Sequence, residues 1–297
     1  MNRNIFLALT VILVLVIGII TWMNFQSVTG TFSDSGFEIK PDNLKTIEIT
    51  TKENHGIFEK KDTTWFILKP FTELADQEKI KTLIQDFVAS KLVAPVSSNP
   101  EKQHLFGVDS SSGKIRFDDQ MYHIGNVGPD FKTTFVRQSG SDQVNIFSGL
   151  LGSNLTTNID QFRYRQILNL KKKSVKSITF AGLTETFSFA NDSLGWMMNG
   201  KLIPSDKTNP LDESLFSLKG ETVIDSLKIN DLKKFPNSLT VTLSADKEYS
   251  VRFYKIPEKL SYFAVQDGTD RIYTVPEYMI DRFFKPSTYW LTTEGKQ

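Results

Sequence analysis

Short runs of alternating apolar and polar residues follow one another along most of this chain, and the pattern occurs twice. The run Leu44–Thr50 and the tetrapeptide at 64–67 recur at 175–180 and 195–198. Ile47 corresponds to Ile178 and Trp65 to Trp196, a spacing of 131 residues in both cases. Alternation with a period of two residues is typical of half-buried β-strands. The pattern therefore predicts a duplicated, strand-rich module.

A second repeated pair of strands supports the duplication. Residues 135–138, a polar turn and residues 144–147 recur at 263–266 and 272–275. Phe135 corresponds to Phe263 and Phe147 to Val275, a spacing of 128 residues in each case. We expect a first module over residues 39–168 and a second over residues 169–297.

Each module is predicted to contain one helix between its strands. In the first, Asp76 has the character of an N-cap for an amphipathic helix that extends to about Leu92, and the stretch Pro95–Pro100 interrupts the pattern. In the second, Asn209-Pro210 is predicted to start a shorter helix that Gly220 ends. Antiparallel strands with a few packed helices place the chain in the α+β class.

The second module has three further predicted features. Asn199-Gly200 is a strong signal for a tight hairpin turn. The stretch Glu221–Asn237 has no counterpart in the first module by pattern, so it is interpreted as an insertion. Pro276 is predicted to open a short terminal helix.

The N-terminal segment has the length and composition of a membrane span. Ile5 to Phe25 contains no charged residue, and about 20 apolar residues in a helix cross the roughly 30 Å hydrocarbon core of a bilayer. Trp22 and Phe25 suit the lipid–water interface, and Arg3 is the only charged side chain before the span. We predict a transmembrane anchor over residues 1–26, followed by a flexible tether over residues 27–38.

This segment has two alternative interpretations. A cleaved signal peptide usually has a shorter apolar region that ends at small residues, whereas this run ends in Trp22-Met23-Asn24-Phe25. A buried core helix is the other alternative. With a retained anchor, positive-inside bias leaves the N-terminus in the cytoplasm and exports both modules. The expected location is the bacterial cytoplasmic (inner) membrane, with the bulk of the chain on the periplasmic or extracytoplasmic side.

Composition narrows the classes of function. The 35 Lys and Arg residues nearly balance the 34 Asp and Glu residues, so the chain lacks the basic surface that nucleic-acid binding needs. The absence of cysteine removes disulfides, thiolate metal sites and cysteine nucleophiles.

Candidate catalytic residues are few. The three histidines, His55, His104 and His123, lie in no recognisable motif. Asp118-Asp119 supplies adjacent carboxylates, but neighbouring strand residues point to opposite faces, and a β-turn explains the pair better. We predict a protein that is not an enzyme, with no catalytic, metal-binding or cofactor-binding residues. A hydrolase that uses His123 with the Asp118-Asp119 pair is the least favoured alternative.

Aromatic residues leave one other class of function open. Strand aromatics either fill the core or form an exposed platform that binds glycans or anchors a partner, and core positions are favoured. An envelope glycan-binding or lipid-binding protein is therefore an alternative function. The residues concerned are Phe117, Tyr122, Phe131, Phe135, Tyr249, Phe253, Tyr254, Tyr262 and Phe263.

A series of short motifs after the tether resembles the bacterial domain-of-unknown-function 4340 family. The resemblance covers nearly the whole chain beyond the tether and carries no catalytic motif. The motifs are Leu44-x-x-Ile47-x-Ile49, Trp65, Pro70, Ala75-Asp76, Phe106-Gly107-Val108-Asp109, Ile124-Gly125, Phe135-Val136-Arg137 and Phe162-Arg163-Tyr164-Arg165.

This resemblance implies an accessory role. Members of the family look like single-pass envelope proteins that are often encoded beside gliding-motility-type ABC transporter permeases and their auxiliary subunits. The expected function is that of a membrane-anchored, non-enzymatic binding or scaffold protein. Its expected partners are the permease, the ATPase and the auxiliary subunits of such a transporter.

Overall fold

The computed structural model describes residues 36–156 and 158–291. The chain divides into two compact units, Met1–Ile159 and Asp160–Gln297. The predicted module boundary after residue 168 lies inside the second unit. Over the described residues, no helix is both long enough and apolar enough to cross a bilayer. The predicted anchor lies outside the described residues.

The first unit is a nine-stranded antiparallel sheet with the strand order β4-β3-β2-β1-β6-β7-β8-β9-β5. Helix α1, Gln77–Ala89, connects β4 at one edge to β5 at the other, and a second helix, α2, spans Gly152–Thr156. A 3-10 helix spans Pro100–Phe106. The strands are β1 (Thr46–Thr50), β2 (His55–Lys61), β3 (Thr64–Lys69), β4 (Glu73–Leu74), β5 (Leu92–Ser97), β6 (Gly113–Phe117), β7 (Gln120–Val127), β8 (Thr133–Gln138) and β9 (Val144–Ser148).

The second unit repeats this sheet, with the order β13-β12-β11-β10-β15-β16-β17-β18-β14. Two short helices, α4 (Glu277–Phe283) and α5 (Ser287–Leu291), follow its last strand, as α2 follows β9. The strands are β10 (Ser177–Gly182), β11 (Thr186–Asp192), β12 (Gly195–Met198), β13 (Lys201–Leu202), β14 (Thr222–Ile224), β15 (Asn237–Ser244), β16 (Glu248–Lys255), β17 (Ser261–Gln266) and β18 (Ile272–Pro276). The prediction of two tandem modules of mainly antiparallel sheet is confirmed.

The stretch Glu221–Asn237 is not an insertion, so that interpretation is wrong. It contains β14, which pairs with β18 at the sheet edge, and a 3-10 helix over Ile229–Lys234. In the first unit β5 pairs with β9 at the same edge, and the 3-10 helix Pro100–Phe106 follows it. Strand β14 has only three residues and forms through its pairing with β18. A strand this short produces no recognisable alternation in the sequence.

Helix α1 begins where the sequence predicts and ends earlier than predicted. The Asp76 carboxylate accepts hydrogen bonds from the backbone N–H groups of Glu78 (3.1 Å) and Lys79 (3.3 Å), as an N-cap does. The helix ends at Ala89 because Ser90 is extended and its hydroxyl donates to the Ser148 carbonyl. Leu92, the predicted end, instead begins β5, and the interruption expected over Pro95–Pro100 starts only after Ser97.

The helical segment of the second unit starts before its predicted cap. Helix α3 spans Ser205–Thr208 behind Pro204, and a π-helical turn follows at Asp212–Phe216. Asn209 has helical backbone angles and therefore is not an N-cap. The π-helical turn ends at Phe216, four residues before Gly220, because the backbone at 216–220 bonds to residues 165–170.

Candidate functional site

Among the described residues, His123 and Ser112 most resemble a catalytic base and its nucleophile. Both side chains instead hold a loop in place. His123 is buried, and its Nδ1 lies 2.9 Å from Ser112 Oγ and 3.0 Å from the Asp109 carbonyl oxygen. Because a carbonyl oxygen only accepts, we assign the ring hydrogen to Nδ1, which then cannot take a proton from Ser112. The Asp109 carboxylate accepts from Ser111 and does not orient the ring.

Arg137 holds the same loop from the neighbouring strand. Its buried guanidinium donates through Nε to the Val108 carbonyl (2.9 Å) and through an Nη to the Ser141 carbonyl (3.1 Å). Burial lowers the pKa of His123, and the nearby positive charge of Arg137 lowers it further. The imidazole is therefore kept neutral.

This buried histidine predicts a loss of stability in mild acid. Because the folded-state pKa of His123 lies below its unfolded value of about 6.5, the unfolded chain binds the proton first. The contribution of this residue to stability is present above about pH 6.5 and is lost as the pH falls toward the folded pKa. Urea unfolding midpoints measured across this range should fall less steeply for His123→Gln than for the wild type. Parallel pH profiles for the two proteins would contradict the assignment.

The Asp118-Asp119 pair forms the predicted turn and does not form an acid–base pair with His123. One oxygen of the Asp118 carboxylate accepts from the backbone N–H groups of Lys45 (3.0 Å) and Thr46 (2.8 Å). It also lies 3.2 Å from the Thr46 hydroxyl. The carboxylate therefore fixes the start of β1, while Asp119 is exposed.

The candidate aromatic residues do not form a platform. Phe117, Tyr122, Phe253, Tyr254 and Phe263 are buried in the cores of their units. The other strand aromatics, at 135, 249 and 262, are half-buried. The exception is at position 131, where a phenylalanine in the β7–β8 turn is 80% exposed.

A cleft of about 670 Å³ lies in the first unit beside the β6–β7 turn. Its volume is within the range of small-molecule sites, and six of its nine lining residues are polar or charged. Leu44 and Phe117, two of its three apolar residues, are themselves buried in the core. Its polar residues are Glu38, Lys40, Asn43, Asp118, Asp119 and Gln120.

The sheet edges offer limited strand pairing to a partner. Strands β4 and β13 have two residues each and β14 has three. Strand β5 has six residues, but Pro95 lacks a donor and the pairing with β9 is irregular at two places. Val93 and Val96 of β5 are exposed. In the part of the chain that the structure describes, no group of three or more His, Asp or Glu side chains is placed to hold a metal ion.

Charged residues at the start of the second unit bind the chain to its sheet edge. Arg163, which is 3% exposed, donates to both carboxylate oxygens of Asp225 at 2.6 and 2.8 Å. It also lies 3.2 Å from Asp160, and Arg165 pairs with the other oxygen of Asp160 at 2.8 Å. The hydrogen bond from Arg163 lowers the pKa of Asp225. The Phe162–Arg165 motif is thus structural in this unit.

Comparison with protein families places the chain in one of them. The family described as domain of unknown function (DUF4340) matches residues 65–235, which extend from β3 of the first unit to the 3-10 helix of the second. The chain belongs to the DUF4340 family. No curated protein and no solved structure matches it.

Several motifs that suggested the DUF4340 family meet at one place in the first unit. Gly125 of β7 lies under the loop after the 3-10 helix: a Cβ at this position would lie 2.2 Å from the Phe106 carbonyl oxygen and 2.6 Å from Val108. The rings of Phe106 and Phe135 are 5.0 Å apart, and Arg137 bonds to the same loop. These motif residues hold the fold together.

The aromatic pair recurs in the second unit without the charged group. The rings of Phe235 and Phe263 are also 5.0 Å apart. In the repeat spacing of 128 residues, however, Arg137 corresponds to Val265, which is buried in an apolar cluster. The second unit therefore fixes its 3-10 helix with apolar contacts, and the cluster of His123 and Arg137 is specific to the first. The predicted anchor residues, Arg3, Ile5, Trp22 and Phe25, lie outside the described residues.

Proposed function

We propose that this DUF4340 protein is a non-enzymatic scaffold, anchored by a single span in the bacterial cytoplasmic membrane. The apolar segment Ile5–Phe25 is the span, Arg3 stays on the cytoplasmic side, and both units stand on the extracytoplasmic side. Trp22 and Phe25 lie at the interface through which the chain leaves the bilayer.

The observation that carries this proposal is the use of the polar side chains. The described residues most suited to chemistry are engaged in holding loops and strands: His123 and Arg137 fix one loop, Asp118 fixes β1, and Arg163 fixes the start of the second unit. The two units, which share one sheet fold, offer exposed surface on which a scaffold can bind its partners.

The partners that we propose are membrane proteins of a gliding-motility-type ABC transporter. The resemblance of the motifs to those of envelope proteins encoded beside such permeases supports this choice. An anchor confines both units to a thin layer, which raises their effective concentration for the permease and auxiliary subunits. A modest interface is therefore sufficient, and the exposed Val93 and Val96 at the β5 edge are candidates for it.

Purification from native membranes in mild detergent tests this function. We expect transporter subunits to be recovered with the protein. Replacing both Val93 and Val96 with lysine should reduce that recovery, whereas Leu183→Lys, at an exposed turn of the second unit, is the matched control. Repeated recovery of the wild-type protein alone would contradict the scaffold role, and equal recovery with both variants would exclude the β5 edge.

A further inference from the structure

The β7–β8 turn of the first unit displays an aromatic ring to solvent at a conformational cost. Phe131 is 80% exposed and has a φ of 56°. A left-handed backbone is unfavourable for a bulky residue, and glycine or asparagine fits it better. An exposed ring also forgoes the gain of burial. Folding therefore does not explain a phenylalanine here.

The turn that carries Phe131 is held rigidly. The Asp130 carboxylate accepts from the backbone N–H groups of Lys132 (3.0 Å) and Thr133 (3.1 Å), and from the Thr133 hydroxyl (2.6 Å). Backbone bonds from Phe131 to the Gly128 carbonyl (3.0 Å) and from Gly128 to the Thr133 carbonyl (2.8 Å) close it. The backbone position from which the ring projects is therefore fixed.

This turn lies at the end of the first sheet where the chain enters the unit. A Cβ on Gly36, the first described residue, would lie 2.7 Å from the Ser90 carbonyl oxygen. The Ser90 hydroxyl donates to the carbonyl of Ser148, the last residue of β9. The next residue, Gly149, donates to the Lys132 carbonyl at 2.8 Å. This series of contacts connects Gly36, where the chain enters the unit, to the turn that carries Phe131.

Other exposed apolar residues accompany Phe131 at this end. Val127, the last residue of β7, and Leu150, which follows Gly149, are each 49% exposed. Asp130 and Lys132 carry opposite charges within the turn. Three exposed apolar side chains therefore lie at this end, beside a turn whose two charges cancel.

The length of chain before Gly36 sets the distance to the membrane. The ten residues that follow Gln26 and end at Gly36 reach at most roughly 33–36 Å when fully extended. Because this stretch joins the proposed span to the end of the sheet that carries Phe131, that end is within reach of the lipid surface. The geometry points to a second membrane contact: the Phe131 turn, with Val127 and Leu150, docks on the outer surface of the bilayer and inserts the ring among the headgroups.

This inference rests on the proposed anchoring and adds an orientation to it. The equivalent β16–β17 turn of the second unit exposes Leu260, which is 81% accessible. The docking is assigned to the first unit because the chain entry lies at the same end as the turn there. Docking fixes the first unit on the lipid, with its β6–β7 and β8–β9 turns at the opposite end of the sheet.

A single-cysteine experiment tests the docking, since the natural chain contains no cysteine. The full-length Phe131→Cys variant is labelled at this cysteine with an environment-sensitive fluorophore. It is then reconstituted in vesicles of phosphatidylcholine and phosphatidylethanolamine. Ser139→Cys, an exposed position at the other end of β8, is the matched control. If the label at position 131 lies roughly 5–10 Å deep in the bilayer, lipids that carry a nitroxide near the headgroup should lower its fluorescence about twofold. The label at 139 should respond only to aqueous iodide.

A third label separates failure of the docking from failure of the anchor. Val16→Cys lies in the middle of the apolar segment and should be quenched by a deep nitroxide. If the label at 16 stays in water, the proposed anchoring itself is wrong. If 16 is in lipid while 131 is as accessible to iodide as 139, the docking is overturned and the anchor stands. Shielding of 131 only in native membranes, without nitroxide quenching, would identify a protein as its occupant and would also overturn lipid docking.

Discussion

Arginine at both Leu13 and Val16 is expected to abolish stable membrane integration of the protein. Each substitution places a charge near the centre of the apolar segment and removes an apolar side chain. On the insertion scale, the pair costs roughly 6–8 kcal/mol, which offsets most or all of the favourable insertion free energy of the apolar segment. After extraction at alkaline pH, the variant should appear in the supernatant, whereas the wild type should stay in the membrane pellet.

The matched control keeps the segment apolar. Leu13→Ile with Val16→Leu changes the same positions and should leave the protein in the pellet. Mass spectrometry of the wild-type protein from this fraction should also find Ile5–Phe25 present, since a cleaved signal peptide would be missing. An arginine variant that resists extraction as well as the wild type would show that something other than this segment holds the protein to the membrane.

Gly125→Ala is expected to destabilise the first unit by about 3 kcal/mol, at the upper end of the usual cost of overpacking. The new methyl group would lie 2.2 Å from the Phe106 carbonyl oxygen, and a backbone atom cannot rotate away as a side chain can. Either β7 or the loop over it must move, and that movement also disturbs the bond from Arg137 to Val108. Urea unfolding of the full chain in mild detergent measures the loss. Hydrogen exchange locates it at residues 106–108.

Gly152→Ala is the matched control for this prediction. Gly152 begins helix α2, and a Cβ there would meet its nearest neighbour, the Gly125 carbonyl oxygen, at an ordinary 3.8 Å. Alanine in a helix is favourable relative to glycine by up to about 1 kcal/mol, so this variant should be as stable as the wild type or slightly more stable. If the two variants were equally stable, Gly125 would not be the close contact that the fold requires.

Most strands of the two sheets are predictable because their signals are local. Ile47 and Ile49 are buried on one face of β1 and alternate with polar neighbours, as the sequence indicates. The hairpin turn at Asn199-Gly200 has positive φ at both residues, as that dipeptide favours. The Asp76 cap needs only the next three residues to form. In each case the information lies within a few positions of the element.

The edge strands are not predictable in this way because their neighbours define them. Strand β5 contains Pro95 and has an irregular register with β9, so its residues show no clean alternation. Strand β14 has three residues and exists through its pairing with β18. The π-helical turn Asp212–Phe216 similarly ends where backbone bonds to distant residues begin. The correspondence of the two modules in this region becomes visible only from the strand order.

The candidate surfaces also depend on information that the sequence lacks. Phe131 is one of 23 phenylalanines, and its residue type favours the core. Its exposure, its φ of 56° and its position at the chain-entry end of the sheet appear only in three dimensions. His123 likewise lies in no motif, and the fold alone brings it to the carbonyl of Asp109.

Labelling from outside intact spheroplasts tests most directly whether an N-terminal span holds both units on the extracytoplasmic side. Ser139→Cys in the first unit and Ser193→Cys in the second are exposed turn positions in a chain without natural cysteine. A membrane-impermeant maleimide should label both variants without lysis and should not label a cytoplasmic control protein. Labelling of either cysteine only after lysis would place that unit in the cytoplasm and would contradict the proposed topology.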